Sequence, residues 1–374
     1  MALRRRSAIT TWPLVSPPLA MAVLALTWGR DLGPALVLAV ALALIGAVLA
    51  TVHHAEVLAH RVGEPFGSLL LAVTVTVIQV GMIVVLMISG DPPTASLARD
   101  TAFAAVMITL NGIVGLSLLV GAGRCGVALF NTKGTGAGLA TVVSLTTLSL
   151  VLPTFTSSPP RSQFPPAQLA FAAVASLLLY GMFALTQTGS DRHVFPPAVA
   201  ENPPTEIRQT PRRPSAAMAG LSLTLLVVAW GAAVGLAKIG ARALEGASRD
   251  GALPQSLVGV VIALLVLAPN TLAAVRAAQR NQVQASLNLA LGSAMASIGL
   301  TIPAVAVASI WLDGPLLLGL GPTQLVLLAL TVVVAVLTVV PGRATRLHGG
   351  LHLALLTAYV VLCFHPYPGS EVPM

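Results

Sequence analysis

The chain has 374 residues, of which 56% are apolar and 9% charged, and its mean hydropathy is +0.90. Its 20 basic and 12 acidic side chains cannot coat a soluble surface of this size, which wants about a quarter to a third charged residues, so the chain belongs in a bilayer. Disorder, collagen and coiled coil are excluded on the same grounds, and two cysteines, Cys125 and Cys363, are too few for a disulfide scaffold.

A membrane-crossing helix needs about 20 apolar residues, and charge-poor stretches of that order recur along the chain. In sequence they fall near 13–29, 33–56, 67–89, 101–123, 135–153, 166–186, 215–237, 253–278, 285–311, 322–340 and 347–364. The pattern predicts an all-α integral membrane protein with about 11 transmembrane helices. The first stretch follows Arg4, Arg5 and Arg6, and with no small-residue cleavage site after it, it reads as a retained span. Residues 187–214 break the series with Asp191, Arg192, Glu201, Glu206 and Arg208 set among Pro196, Pro197, Pro203, Pro204, Pro211 and Pro214. Proline at that density prevents a regular helix, so this segment reads as a cytoplasmic linker. The chain then divides into an N-terminal helix (1–32), a first half (33–186), the linker (187–214) and a second half (215–374).

Basic residues set the orientation. With the N-terminus inside, 14 of them face the cytoplasm, from Arg4, Arg5 and Arg6 through Arg61, Arg124, Lys133, Arg276, Arg280 and Arg343 to Arg346. Six face outside: Arg30, Arg99, Arg161, Lys238, Arg242 and Arg249. That asymmetry is the positive-inside pattern. The net charge of +8 is therefore a topology signal rather than a nucleic-acid footprint, and the expected setting is a bacterial inner membrane with the N-terminus cytoplasmic.

No acidic residue falls at the centre of a predicted span, but polar ones do, in two regions five helices apart. The first holds Thr74, Thr76 and Gln79, with Asn111–Gly112 in the next helix. The second holds Pro269, Asn270 and Thr271, followed by Asn288, Gly292, Ser293 and Ser297. An odd offset turns the second copy upside down, as in transporters built from two inverted five-helix repeats. Pro269 removes a backbone donor in mid-helix, and in lipid such a break persists only against protein or a wet cavity. A buried primary amide demands partners, which makes Gln79 and Asn270 the leading substrate-site residues. Isolated Ser, Thr and Gly in such helices are more often packing residues. His53, His54, Glu56 and His60 crowd the cytoplasmic end of the second helix, where a proton or cation route and a solvated helix end fit equally. His348 and His352 share a helix face, with no carboxylate near them in sequence to complete a metal site.

The run HHAEVLAHRVGEPFGSLLLAVTVTVIQV (His53–Val80) resembles the first signature of bacterial calcium/proton antiporters of the ChaA type, in the cation/calcium exchanger superfamily. So does LARDTAFAAVMITLNGIVGLSLLVG (Leu97–Gly121), and the segment from Gly259 to Ala306 resembles the partner repeat. The resemblance implies ten core helices in two inverted halves, with one extra helix at the N-terminus and a central cation site to which each half contributes a helix pair. It also implies an acidic residue in each repeat, at the positions that Gln79 and Asn270 occupy here. Both carboxylates are replaced by amides, which can offer oxygen but cannot titrate.

The expected function is secondary transport of a cation (Ca2+ or Na+/K+) against H+ across the bilayer. Gln79 and Asn270 would hold the metal ion, with Thr76, Asn111, Ser293 and Ser297 as further oxygen donors. Glu56 or Glu64 would carry the coupling proton. The alternatives are a transport-inactive relative that regulates or assembles with a partner, and a proton-uncoupled carrier of a monovalent ion or neutral solute. No cofactor and no nucleic-acid partner is expected, and association into a homo-oligomer is left open. An enzyme is not expected: the sequence shows no nucleophile–base set, metal-ligand cluster or phosphate loop, and Gly121–Gly126 lacks the strand context of a nucleotide fingerprint.

Overall fold

The computed structural model describes residues 3–30, 33–63, 96–156, 165–188, 214–249, 256–311 and 317–364, with the isolated positions 74, 77, 80, 81 and 84. Ten of the eleven expected spans coincide with described helices. The third lies outside the described residues except at those five isolated positions, all helical. The linker at 187–214 also falls almost entirely outside them. Among the described residues, 8 helices are long and apolar enough to cross a membrane, and one bent pair makes a ninth. Large apolar side chains stand exposed along them, such as Leu185 and Leu337, as lipid-facing residues must.

The chain packs as two compact units, residues 1–89 with 204–252, and residues 90–203 with 253–374. Each draws on both sides of the proline-rich segment.

The first unit contains α1 (Leu3–Thr27), α2 (Pro34–Val62) and α8 (Ala216–Arg249). Helix α2 starts with proline at its first turn and ends at Gly63, whose φ of 81° suits glycine. Helix α1 carries Pro13, Pro17 and Pro18 in its interior. Pro17 has no N–H, so the Pro13 carbonyl one turn earlier lacks its helical donor. Nε2 of the buried His54, on α2, lies 3.0 Å from that carbonyl oxygen and supplies the missing proton. A carbonyl only accepts, so the bond also fixes the His54 tautomer. Gly46 of α2 and Gly235 of α8 let α1 approach closely, since a Cβ would fall 2.9 Å from Ser16 Oγ and 2.7 Å from Leu24 Cδ2 respectively.

The second unit is organised around one straight run. It is formed by α3 (Leu97–Met107), a π-helical stretch (Ile108–Ile113) and α4 (Val114–Cys125). Phe103, Met107, Leu110, Ile113 and Leu118 are all fully buried on it. Around it stand α5 (Thr132–Thr146), a second π stretch (Thr147–Val151), α6 (Leu152–Thr156) and α7 (Pro166–Thr188). The second half of the chain adds α9 (Ser256–Gln279), α10 (Val283–Ala308), α11 (Pro322–Val339) and α12 (Arg346–Phe364). Helices α4 and α12 cross at a pair of glycines: a Cβ on Gly349 would lie 2.8 Å from Gly115 O and 2.7 Å from Leu119 N. At one end of the unit Arg99 pairs with Asp100 at 2.8 Å and donates to Gly319 O. Beside them Leu320 N donates to Leu150 O at 3.1 Å. At the other end Ala128–Leu129 (β1) pairs antiparallel with Arg343–Ala344 (β2).

His54→Ala strands the Pro13 carbonyl in an apolar helix contact and should cost about 1–3 kcal/mol, read as a lower Tm of the purified protein. His54→Gln, which keeps a donor, should recover part of that loss. Equal melting of His54→Ala and wild type would show that this bond does not hold α1.

Candidate cation site

Helix α9 bends by 49° between Gly259–Ala268 and Asn270–Gln279. Pro269 stands at the joint and cannot donate to the Leu265 carbonyl one turn earlier. Asn270 follows at once and is buried, 8% exposed. Its Nδ2 donates to Ser293 Oγ on α10 at 2.7 Å. With the amide nitrogen so engaged, the carbonyl oxygen is the end of Asn270 left for a ligand, and no hydrogen bond reaches it among the described residues. Ser297 is buried one turn beyond Ser293 on the same helix, and residues four apart share a face. The structure thus brings together Asn270 and Ser293, with Ser297 next along α10.

Asn111 has other partners. It is fully buried in the first π stretch and belongs to a closed polar cluster. Its Nδ2 donates to Thr331 Oγ1 on α11 at 2.9 Å, and its Oδ1 accepts from His352 Nδ1 on α12 at 3.2 Å. His352 Nε2 meets Thr338 Oγ1 at 3.3 Å. Both ends of the amide are occupied, and no hydrogen bond links Asn111 to Asn270 or Ser293. The shared face of His348 and His352 resolves the same way, because His348 Nδ1 accepts from Thr345 at the start of α12.

Thr331 and Thr338 were not distinguished in the sequence from other apolar-helix threonines. Their seven-residue spacing puts them on one face of α11, which is the signal that pairs them with the mid-span His352. Gln284 is another buried amide that sequence reasoning passed over. Its Oε1 accepts from Asn131 N at 2.6 Å, while its Nε2 donates to Asn288 Oδ1 at 2.8 Å and to Thr135 Oγ1 at 3.3 Å.

Glu56 lies on the exposed side of α2 in the first unit. Glu64, Thr76 and Gln79 lie outside the described residues. Among the described residues no group of three or more His, Cys, Asp or Glu side chains could hold a metal ion. The described polar side chains at the α9 bend, Asn270 and Ser293, carry neutral oxygens. A cavity of about 20 Å³ beside His352 and Thr338, lined mainly by Leu110, Val114, Leu287 and Leu291, has room for about one water and is too apolar for an ion.

A family model described as sodium/calcium exchanger protein matches residues 32–189 and 221–365. The two blocks leave out α1 and the proline-rich segment. The putative ionic transporter y4hA of Sinorhizobium fredii is 43% identical over 368 residues, covering 97% of this chain and 99% of that protein. The sodium-potassium/proton antiporter ChaA of Escherichia coli is 34% identical over 357 residues, covering 94% and 95%. Among solved structures, native YfkE superposes with a TM-score of 0.71 at 16% identity, over 95% of this chain and 99% of that one. The shared fold is an all-α membrane exchanger of two inverted five-helix repeats, here preceded by one extra helix.

The Asn111 cluster predicts a separation of effects. His352→Ala leaves a buried amide oxygen unpaired and should lower stability by about 1–3 kcal/mol, whereas Asn270→Ala, which removes one bond to the half-buried Ser293, should cost less stability and, if the bend is an ion site, weaken cation binding. Weakened binding in His352→Ala without a loss of Tm would place that cluster in the ion path instead.

Proposed function

The chain belongs to the sodium/calcium exchanger family, and from that membership we propose that it exchanges monovalent cations for protons across the bacterial inner membrane. The observation that carries the choice of ion is the α9 bend, where Asn270 and Ser293 offer uncharged oxygens. Calcium takes six to eight oxygen ligands, usually with carboxylates among them. The cost of stripping water from an ion rises with the square of its charge. Neutral oxygens can repay that cost for sodium or potassium far more readily than for calcium. The name of the ChaA relative, a sodium-potassium/proton antiporter, supports the same class of cargo. In this reading, which follows the resemblance between the two repeats, Gln79 takes the corresponding role in residues 33–186, with Thr76 as a further oxygen donor.

Amides cannot carry the coupling proton. In this reading Glu56 or Glu64, toward the cytoplasmic end of the first repeat, takes that role. The excess of basic residues in the loops assigned to the cytoplasm supports the orientation.

A second reading is favoured by the loss of both acids: a transport-inactive relative that works through a partner. One assay separates the two. Purified protein in proteoliposomes should take up radiolabelled rubidium or sodium when a pH gradient is imposed, and calcium far less. Asn270→Ala should cut the monovalent flux about tenfold, the worth of one lost ligand of about 1.4 kcal/mol. Glu56→Gln with Glu64→Gln should uncouple the flux from the gradient. Calcium uptake exceeding that of the monovalent ions would overturn the proposed selectivity. Absence of flux for every ion tested would leave the inactive relative standing.

A further inference from the structure

At the end of the second unit that carries β1 and β2, three chain connections are knitted into one platform. The β1–β2 pairing sets Leu129 opposite Arg343, and Phe130 N donates to Gly342 O at 3.1 Å. Gln284, at the start of α10, ties in the third connection by accepting from Asn131 N at 2.6 Å. Gly121 makes room for Val283, since a Cβ there would lie 2.6 Å from Val283 Cγ2. Arg346 locks the platform to α4 by donating to Gly123 O at 2.5 Å. The three connections therefore occupy one place, whatever their distance in sequence.

Their chemistry is one-sided. Lys133, Arg276, Arg280, Arg343 and Arg346 are all exposed there. The sequence contains no acidic residue between Asp100 and Asp191, none between Asp250 and Asp313, and none between Asp313 and Glu371. Among the described residues no carboxylate pairs with any of the five. Cations gathered without counter-charge repel one another, and an external anion relieves that repulsion. Beside the cations stand exposed apolar side chains: Leu129 at 62%, Val340 at 69% and Leu347 at 69%. A free inorganic anion would not use these. A molecule with an anionic head and an apolar body would use both.

We infer that this platform is a binding site for acidic phospholipid headgroups, formed by Lys133, Arg280 and Arg343 with Leu129, Val340 and Leu347 against the upper part of the acyl chains. Basic residues at a membrane surface each add roughly a constant increment of attraction for anionic lipid. Here the β1–β2 pairing and the Gln284 bonds fix the backbone of the connections that carry them, so the loops need little ordering on binding. The site does not depend on which ion is carried.

The test uses the full-length protein reconstituted with phosphatidylcholine and phosphatidylglycerol, then released into mild detergent for native mass spectrometry. Wild type should retain phosphatidylglycerol in preference to phosphatidylcholine. The triple variant Lys133→Gln, Arg280→Gln, Arg343→Gln should retain at least about tenfold less. Arg346 is left unchanged because it also supports α4. Arg280→Lys with Arg343→Lys keeps the charge and should keep the lipid, which separates a charge effect from a folding defect. Equal retention by wild type and triple variant, or equal retention of both lipids by wild type, overturns the assignment. Thermal protection by inorganic phosphate in phosphatidylcholine alone, equal to that from phosphatidylglycerol, would mark a free-anion site and overturn it as well.

Discussion

Inside a bilayer a polar group that loses water must find its partner within the protein, and unmet donors or acceptors there cost several kcal/mol. Much of this molecule follows from that requirement. The proline run of α1 would strand a carbonyl, and His54 of the neighbouring helix meets it. The π stretch that carries Asn111 is closed by Thr331 and His352. Gln284 satisfies both ends of its amide through Asn131, Thr135 and Asn288. Where partners are complete, the polar group is structural.

The bend at Pro269 differs in kind. A backbone donor is missing, the helix turns by 49°, and the adjacent amide spends its nitrogen on Ser293 while its oxygen has no hydrogen bond among the described residues. Incomplete satisfaction beside a helix break is how a transporter prepares oxygen ligands for an ion that arrives without its water. The acids that the resemblance leads one to expect would supply charge at this point. Amides supply only dipoles, which is the reason the proposed cargo is of lower charge.

Much of this was legible in the sequence. The charge-poor windows located ten described helices because a span must be about 20 apolar residues long, a constraint that leaves a plain trace. The burial of Asn270 and its need for a partner were legible too, since a primary amide in mid-span demands one. Its contact with Ser293 lies 23 residues away on the next helix, close enough for adjacency to suggest it. The Asn111 cluster was not legible. Its members lie up to 241 residues apart, and no local pattern tells a ligand asparagine from one held by a distant histidine. The π stretches were equally hidden, because ITLNGI and TLSLV carry no pattern that tells a π turn from an α turn. The cationic platform was visible only as a topology count; its assembly depends on a two-residue strand pairing too short to predict.

In the proposed mechanism Gln79 and Asn270 each provide uncharged oxygen where the resemblance implies a carboxylate. Equilibrium calcium binding to purified wild type and to the Gln79→Glu, Asn270→Glu double variant tests this most directly. Wild type should bind calcium very weakly and the variant at least about a hundredfold more tightly, as a carboxylate returns to each repeat. Calcium binding by wild type as tight as that of the variant would contradict it.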